Sequence, residues 1–334
     1  MNRLIPTLRL LTLVAVIAVV GIFADTHKAY AATQIYYSVG QNTTDHKTGS
    51  PTLDISSGVG TFSVAQTATN MGVGDKVTFN TSNVCYISGK QSTSVWNLIT
   101  ATGTTCANVT GATVNSIAHA FSSLNSAIGN GVANNATSTN YLNTSDLVAG
   151  NYQLNIPCYY DTGPDTTAVI INGLTTDSTH YLRIYTATST TSEVNQSQRH
   201  AGVWSSNVYR MEMNRATAIS SSISYVKFDG LQIKLTLTYD NNKYGISTNN
   251  AASPSEISIS NSIITASISQ TGTTNYAIYR AYSAVNNSVL KIYNNVIYGF
   301  NHNTDSDGAI GTNFGNTGSG DFVYVYNNTF YDDL

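Results

Sequence analysis

Residues 292–297 read Ile-Tyr-Asn-Asn-Val-Ile, and residues 325–330, which lie 33 positions later, read Val-Tyr-Asn-Asn-Thr-Phe. Two earlier segments share the pattern of apolar ends around a small polar centre: Phe-Asp-Gly-Leu-Gln-Ile at 228–233 and Ile-Ser-Asn-Ser-Ile-Ile at 259–264. The first residues of the four segments are separated by 31, 33 and 33 positions. A recurrence at this spacing indicates an internal structural repeat.

A second series keeps the same period, because Ile246, Ile278 and Ile310 follow one another at equal intervals of nearly the same length. The repeated units are rich in β-branched and aromatic residues, alternate with period two and break at Asn and Gly. A helical repeat of similar length would instead run as helix for about ten residues. We therefore predict an all-β solenoid, a parallel coil of about 32 residues per turn whose strands stack about 4.8 Å apart.

One small residue recurs at the corner of each repeat. The aligned residues are Gly230, Asn261, Asn294 and Asn327. Asn tolerates the left-handed backbone that a tight corner needs, and stacked side-chain amides can hydrogen-bond one turn of the coil to the next. We interpret these residues as structural.

The chain before the repeats has a different organisation. Short strand-like runs separated by Gly, Asn and Ser fill residues 32–111, for example at 76–79 and 84–87, which predicts a small antiparallel β-rich domain. Between residues 115 and 129 apolar side chains recur at spacings of 4, 3 and 4, as on one face of a helix. They are Ile117, Phe121, Leu124 and Ile128. We expect this helix to cap the coil, residues 112–334, and expect its His119 to be solvated.

The N-terminal segment, positions 1–31, has the features of a signal peptide. Arg3 and Arg9 precede an uninterrupted apolar run from Leu10 to Phe23, and Ala29-Tyr30-Ala31 places small residues at the cleavage positions. A bilayer-spanning helix needs roughly 20 residues, more than this run provides, so a membrane anchor is the weaker interpretation. We expect a mature protein that begins near Ala32, is secreted or displayed at the cell surface, and has no membrane span.

If the protein is exported, its three cysteines lie in an oxidising compartment, where disulfides can form. Cys85 and Cys106 lie close in sequence within one predicted β-domain, and a disulfide between them would contribute roughly 3 kcal/mol. Two buried thiols are the alternative, since a sequence cannot fix connectivity. Cys158 is expected to be a buried thiol without a catalytic role.

The amino-acid composition limits the kinds of partner that the protein can bind. Charged residues make up only 10% of the chain, the formal net charge is −3, and no basic block is present. These values argue against nucleic acid as a partner. Solubility must come from the hydroxyl and amide groups of the abundant Ser, Thr, Asn and Tyr.

Over residues 112–334 the chain resembles the right-handed parallel β-helix proteins of the pectate-lyase-like superfamily. The resemblance rests on the predicted capping helix, the coil period and the Asn corners. Members include polysaccharide lyases, glycoside hydrolases, adhesins and structural surface proteins, so the resemblance implies a fold more strongly than an activity.

For a lyase the resemblance implies calcium held by carboxylates and an Arg or Lys base. Arg280 lies on a predicted strand, but Thr248 and Thr312 occupy the aligned positions and no carboxylates stack beside it. No two carboxylates lie at matching positions of successive turns, as the acid and its partner in a glycoside hydrolase would require. Asp305 and Asp307 could coordinate a calcium ion, although solvated loop acids, like the nearby His302, are the simpler interpretation.

Tyrosines suggest a binding surface. Tyr293 and Tyr326 occupy equivalent positions in successive repeats and Tyr324 precedes Tyr326 by two, so all three should lie on one sheet face. Aromatic rings on such a face can stack on sugars, although exposed tyrosines also simply suit strands.

These features lead to a functional hypothesis with alternatives. We predict a secreted or cell-surface module that binds a polysaccharide, a cell-surface glycan or another surface without catalysis. The alternatives are a polysaccharide lyase or glycoside hydrolase, which would need acids such as Asp229, Asp240 or Glu256 to converge near Arg280 or Lys291, and a structural spacer. The sequence stops directly after a repeat, without a capping segment, which predicts a chain truncated at its C-terminus.

Overall fold

The computed structural model describes residues 31–129, 140–238, 242–249, 254–269, 274–281, 287–300, 307–313 and 321–331. Within these ranges the secondary structure is almost entirely strand, which confirms the predicted all-β class. None of the helices in the described ranges is long and apolar enough to span a membrane. Residues 1–30 of the predicted signal peptide fall outside the description.

The elements are numbered in chain order. The strands are β1 (Thr33–Tyr36), β2 (Thr52–Ser56), β3 (Val59–Phe62), β4 (Lys76–Phe79), β5 (Asn83–Lys90), β6 (Val95–Ile99), β7 (Val109–Ala118), β8 (Tyr152–Cys158), β9 (Val169–Ile171), β10 (Leu182–Thr186), β11 (Met211–Asn214), β12 (Ile219–Ser221), β13 (Tyr225–Asp229), β14 (Gln232–Leu237), β15 (Tyr244–Thr248), β16 (Ser255–Ser260), β17 (Ile263–Ile268), β18 (Tyr276–Arg280), β19 (Ser288–Tyr293), β20 (Val296–Tyr298), β21 (Gly308–Thr312), β22 (Phe322–Tyr326) and β23 (Thr329–Tyr331). The helices are α1 (Leu124–Ile128) and α2 (Leu147–Gly150).

A closed antiparallel barrel occupies the N-terminal part of the chain, with strand order β2-β3-β6-β5-β4-β7. Its strands alternate buried and exposed residues, so that Leu53, Ile55 and the fully buried Trp96 fill the interior. A disulfide joins Cys85 in β5 to Cys106 in the segment before β7. The last barrel strand runs on to Ala118, beyond the expected domain boundary at residue 111, because its pairing with β2 and β4 closes the barrel.

Three parallel sheets contain the remaining strands. Sheet 1 has the order β1-β8-β10-β13-β16-β19-β22, sheet 2 has β11-β14-β17-β20-β23, and sheet 3 has β9-β12-β15-β18-β21. From β13 onward the chain visits sheets 1, 2 and 3 in rotation, and each turn adds one strand to each sheet. Each strand therefore pairs with its counterpart from the preceding turn.

The two repeat series of the sequence are register partners in these sheets. The partners are Phe228 with Ile259, Ile259 with Ile292 and Ile292 with Val325 in sheet 1, and Ile246 with Ile278 and Ile278 with Ile310 in sheet 3. Ile259, Ile278 and Ile292 are fully buried. Each such side chain contributes about 1.5–3 kcal/mol by its removal from water, which fixes the register of the coil.

The helix predicted over residues 115–129 is mostly wrong. Residues up to 118 are strand β7, in which Ile117 pairs with Val77 inside the barrel, and helix begins only after Ser123. The Ser123 hydroxyl accepts from the Ser126 amide at the first turn, as expected for an N-cap. Barrel closure therefore overrides the helical spacing that the sequence suggested.

The barrel and α1 together cover the first turn of the sheets. Val39 forms isolated parallel β-bridges with Phe121 on one side and with Cys158, at the end of β8, on the other. The segment before α1 therefore continues the parallel stacking beyond β8. Barrel residue Tyr86 packs edge-on against Tyr37 with ring centroids 4.9 Å apart, in the same apolar cluster as α1. The cap of the coil, which the sequence analysis assigned to a helix alone, is thus formed mainly by the barrel.

Candidate functional site

The tyrosines predicted to form a binding surface lie on sheet 1. Tyr324 and Tyr326 are two residues apart in β22, so their side chains leave the same face. Tyr293 is the register partner of Tyr326, and Lys291 is the partner of Tyr324. We call Tyr293, Tyr324 and Tyr326 the outer tyrosine row.

Two rings of this row are parallel, and Tyr324 and Tyr326 are about half exposed while Tyr293 is partly buried. Tyr293 and Tyr326 stack with centroids 5.1 Å apart and planes 2° apart, so that each covers one face of the other. Tyr324 instead stacks near Phe322, at 6.0 Å and 24°. Tyr324 is 48% exposed and Phe322 is 51% exposed, so these two rings offer the larger accessible apolar area. Sequence reasoning missed Phe322, although its position two residues before Tyr324 places it on the same face.

A groove runs beside the row. It is lined by Glu256, Val289, Lys291, Tyr324 and Tyr326. Lys291 Nζ lies 2.8 Å from Glu256 Oε2, and both side chains are about one-third exposed. Aromatic rings and a hydrogen-bonding pair that line one groove can contact both the apolar and the hydroxyl-bearing parts of a ligand.

Cations elsewhere on the outer face of sheet 1 are also paired. Arg183 lies 2.9 Å from Asp229, which also binds Arg199 at 2.8 Å. Although burial alone would raise it, the pKa of Asp229 is lowered, because both arginines favour the charged carboxylate. Lys227 Nζ lies 3.9 Å from the centroid of the Tyr181 ring. The residues named on this face therefore comprise four cations and two carboxylates, with Arg183, Arg199 and Lys291 ion-paired and Lys227 placed over a tyrosine ring.

Sheet 3 carries a second tyrosine cluster that sequence reasoning did not identify. Tyr244 and Tyr279 stack at 4.3 Å, and Tyr276 lies 5.6 Å from Tyr279 with planes 6° apart. Glycines follow in the next strand, where Gly308 and Gly311 are the register partners of Tyr276 and Tyr279. The recurrence of Tyr244 and Tyr276 at the period of the coil was the signal for this cluster.

The Asn corners adopt the left-handed conformation, with φ of 52° at Asn261, 58° at Asn294 and 54° at Asn327. Gly230 has φ of 80° at the equivalent position. The bond between corners is long, since Asn294 Nδ2 donates to Asn261 Oδ1 at 3.4 Å.

The buried amide ladder lies one residue further along the chain. Asn295 Oδ1 accepts from the Ser262 amide at 2.9 Å, while Asn295 Nδ2 donates to the Ile259 carbonyl and to Asn328 Oδ1, both at 2.9 Å. Asn295 is 1% exposed. The second Asn of each Asn-Asn pair, not the corner Asn, therefore makes the strong bonds between turns.

Of the two aspartates considered as calcium ligands, Asp307 lies within the described ranges and Asp305 does not. Asp307 Oδ1 accepts from the backbone amide of Asn275 at 2.6 Å and from its side-chain Nδ2 at 3.1 Å, which ties two turns of the coil together. Asp305, like His302 and Asp240, lies outside the described ranges. The described residues contain no group of three or more His, Cys, Asp or Glu side chains that could hold a metal ion.

The described residues considered for a lyase or hydrolase site have structural partners. Arg280 is 2% exposed, and its guanidinium donates to Ser288 Oγ and lies 3.4 Å from the Asp321 carboxylate. A base in that position has no access to a polymer. Among the described acids, Glu256 does lie beside Lys291 in the groove, at 2.8 Å, whereas Asp229 is bound by Arg183 and Arg199.

Cys158 is fully buried, and burial raises its pKa well above the usual value. Its sulfhydryl donates to the Ile156 carbonyl at 3.6 Å. A protonated, enclosed thiol is unsuited to nucleophilic chemistry, which requires the thiolate. The outer tyrosine row with its groove is therefore the candidate functional site. No family model, curated protein or solved structure matches this chain.

Proposed function

We propose that the chain is a secreted or cell-surface module, built on a right-handed parallel β-helix of the pectate-lyase-like type, that binds carbohydrate through the outer tyrosine row without catalysis. The observation that carries this proposal is the two stacked aromatic pairs on the outer face of sheet 1, Tyr293 with Tyr326 and Phe322 with Tyr324, of which Phe322, Tyr324 and Tyr326 are about half exposed. The rotation of the chain through three parallel sheets supports the β-helix.

The geometry favours a neutral glycan. Sugar rings present C–H faces that pack on aromatic rings, and their hydroxyls need hydrogen-bond partners. Tyr324 and Phe322 supply the aromatic surface, and the Lys291–Glu256 pair supplies a donor and an acceptor. Because these two charges neutralise each other, the groove offers little net attraction for an acidic polymer.

The experiment is co-sedimentation of the purified protein with a panel of insoluble neutral polysaccharides, followed by affinity measurement on the best ligand. Losing one aromatic contact removes about 1–1.5 kcal/mol, so Tyr324→Ala should weaken binding about tenfold. The matched control is Tyr279→Ala, which removes a stacked tyrosine from sheet 3.

Each result has a definite meaning. Loss of binding in Tyr324→Ala with retention in Tyr279→Ala supports the outer tyrosine row. The reverse pattern transfers the binding surface to sheet 3 and refutes the assignment to sheet 1. Absence of binding to any neutral glycan rejects the proposed function.

Catalysis is tested separately. Ultraviolet absorbance of unsaturated uronide products, followed with acidic polysaccharides in the presence and absence of calcium, should stay flat. A reducing-sugar assay with the neutral ligands should also stay flat. A rise in either assay would replace the binding module with an enzyme: a calcium-dependent rise in absorbance would indicate a lyase, and a rise in reducing sugar would indicate a hydrolase.

A further inference from the structure

A buried ionic cluster joins the barrel to sheet 1. His119 directly follows β7, Asp75 directly precedes β4, and Asp161 follows β8. His119 Nδ1 lies 2.7 Å from Asp75 Oδ1, and His119 Nε2 lies 3.0 Å from Asp161 Oδ1. His119 and Asp75 are almost completely buried. The solvated helix position expected for His119 is therefore wrong.

The hydrogen bonds fix the protonation state of the imidazole. A neutral imidazole has one N–H donor and one acceptor nitrogen, whereas an ionised carboxylate only accepts. Since both ring nitrogens of His119 face carboxylate oxygens, both must carry protons if both aspartates are ionised. His119 is then a buried imidazolium between two carboxylates.

Further hydrogen bonds around Asp75 stabilise its ionised form and so support this charge state. Asp75 Oδ2 also accepts from the backbone amide of Gly72 at 2.9 Å and lies 3.2 Å from His46 Nε2. The Tyr159 ring stacks on His119 at 4.9 Å, and its hydroxyl donates to the Val73 carbonyl. Tyr159, which directly follows strand β8 of sheet 1, thus covers the imidazole without competing for its protons.

The second carboxylate is equally well bound. Asp161 Oδ2 accepts from the backbone amides of Gln41 at 2.8 Å and Asn42 at 3.1 Å, and Asp161 Oδ1 accepts from Asn70 Nδ2 at 2.6 Å. Three donors besides His119 keep this carboxylate ionised. A deprotonated His119 could donate to only one of the two aspartates and would leave a buried carboxylate facing a lone pair.

We propose that His119 is an alkali-sensitive latch, whose proton holds the barrel on the first turn of the three sheets and whose loss releases that contact. Opening would expose the aromatic cluster of Tyr37, Tyr86 and Phe121 that fills the junction.

The direction of the pH dependence follows from the pKa of His119. Burial, the largest influence, opposes the charge, but Asp75 and Asp161 outweigh it and raise the pKa of His119 to about 9. A raised folded-state pKa gives stability that is complete below the unfolded value of about 6.5 and is lost as pH rises through about 9. The latch is therefore closed at neutral pH.

The first test is nitrogen-15 NMR of the histidine rings in the full mature protein. At about pH 7 both ring nitrogens of His119 should show imidazolium shifts, and they should titrate near pH 9. A neutral ring at pH 7 overturns the proposal, and this readout does not depend on any variant folding.

The second test follows the binding of an apolar fluorescent dye from about pH 7 to pH 10. In the wild-type protein the dye signal should rise with a midpoint near pH 9. His119→Gln should lose this transition, whereas the control His180→Gln, which removes a histidine bound to Asp177, should keep it. A midpoint unchanged by His119→Gln refutes the latch.

Discussion

Mutations of the adjacent asparagines Asn294 and Asn295 at one corner should destabilise the protein to very different extents. Asn295→Ala removes the side chain that binds the Ser262 amide and the Ile259 carbonyl, both of which are buried. Asn294→Gly changes the neighbouring residue, whose φ of 58° glycine adopts without strain.

The structure sets the magnitudes. Each buried backbone group left without a partner costs about 1–3 kcal/mol, so Asn295→Ala should destabilise the protein by about 2–6 kcal/mol. Asn294→Gly loses only a 3.4 Å bond at the surface and should cost less than about 1 kcal/mol.

Thermal unfolding followed by circular dichroism provides the assay. At roughly 2–4 °C per kcal/mol, Asn295→Ala should lower the midpoint by about 4–24 °C, and Asn294→Gly by only a few degrees. Equal shifts for the two variants, or a larger shift for Asn294→Gly, would refute the assignment of the ladder to the second asparagine.

Further predictions address the barrel, sheet 3 and acid stability. Cys85→Ser should lower the free energy of unfolding by about 3 kcal/mol in urea titrations, and reductant should produce the same loss in the wild type. Gly311→Ala would place a Cβ atom 2.4 Å from the Tyr276 ring, so it should lower the free energy of unfolding by about 1–3 kcal/mol and alter the near-ultraviolet circular dichroism. The control Gly308→Ala would place its Cβ atom 3.5 Å from the same ring and should be tolerated. Burial opposes ionisation of Asp75, but the two neighbouring histidines outweigh it and lower the pKa of this carboxyl. The ionised Asp75 therefore stabilises the folded protein fully above the unfolded pKa of about 3.9, and this stabilisation is lost as pH falls through the lower pKa of the folded state. Asp75→Asn should therefore weaken the pH dependence of unfolding below about pH 4.

The sequence predicted the repeating part of the fold because its determinants are periodic. A position such as Ile292 must face the same core as Ile259 in the preceding turn, so equivalent residues recur at a constant spacing. That spacing identifies register partners without any knowledge of the three-dimensional structure.

The barrel and its junction could not be predicted in the same way. Ile117 fits a helical spacing, and only its pairing with Val77, far earlier in the chain, makes it a strand residue. His119 shows no local sign of burial, because its two partners lie 44 and 42 residues away. Contacts of this kind depend on tertiary closure, which overrides local propensity.

The candidate site was predictable only in part. The spacing of Tyr293 and Tyr326 placed both rings on one sheet face, but it could not show that the rings cover each other. Ring orientation depends on packing between turns, which alternation along a strand does not specify.

The pairing of β1 with β8 constrains the order in which the protein can fold. Thr33 pairs with Tyr152, so the first strand is synthesised long before its partner in sheet 1. Barrel strands β2 to β7, by contrast, lie within residues 52–118 and need no later segment for closure. A chain made from its N-terminus can therefore complete the barrel first, and the following turns then add to an existing template, each one closing a loop of only about 32 residues.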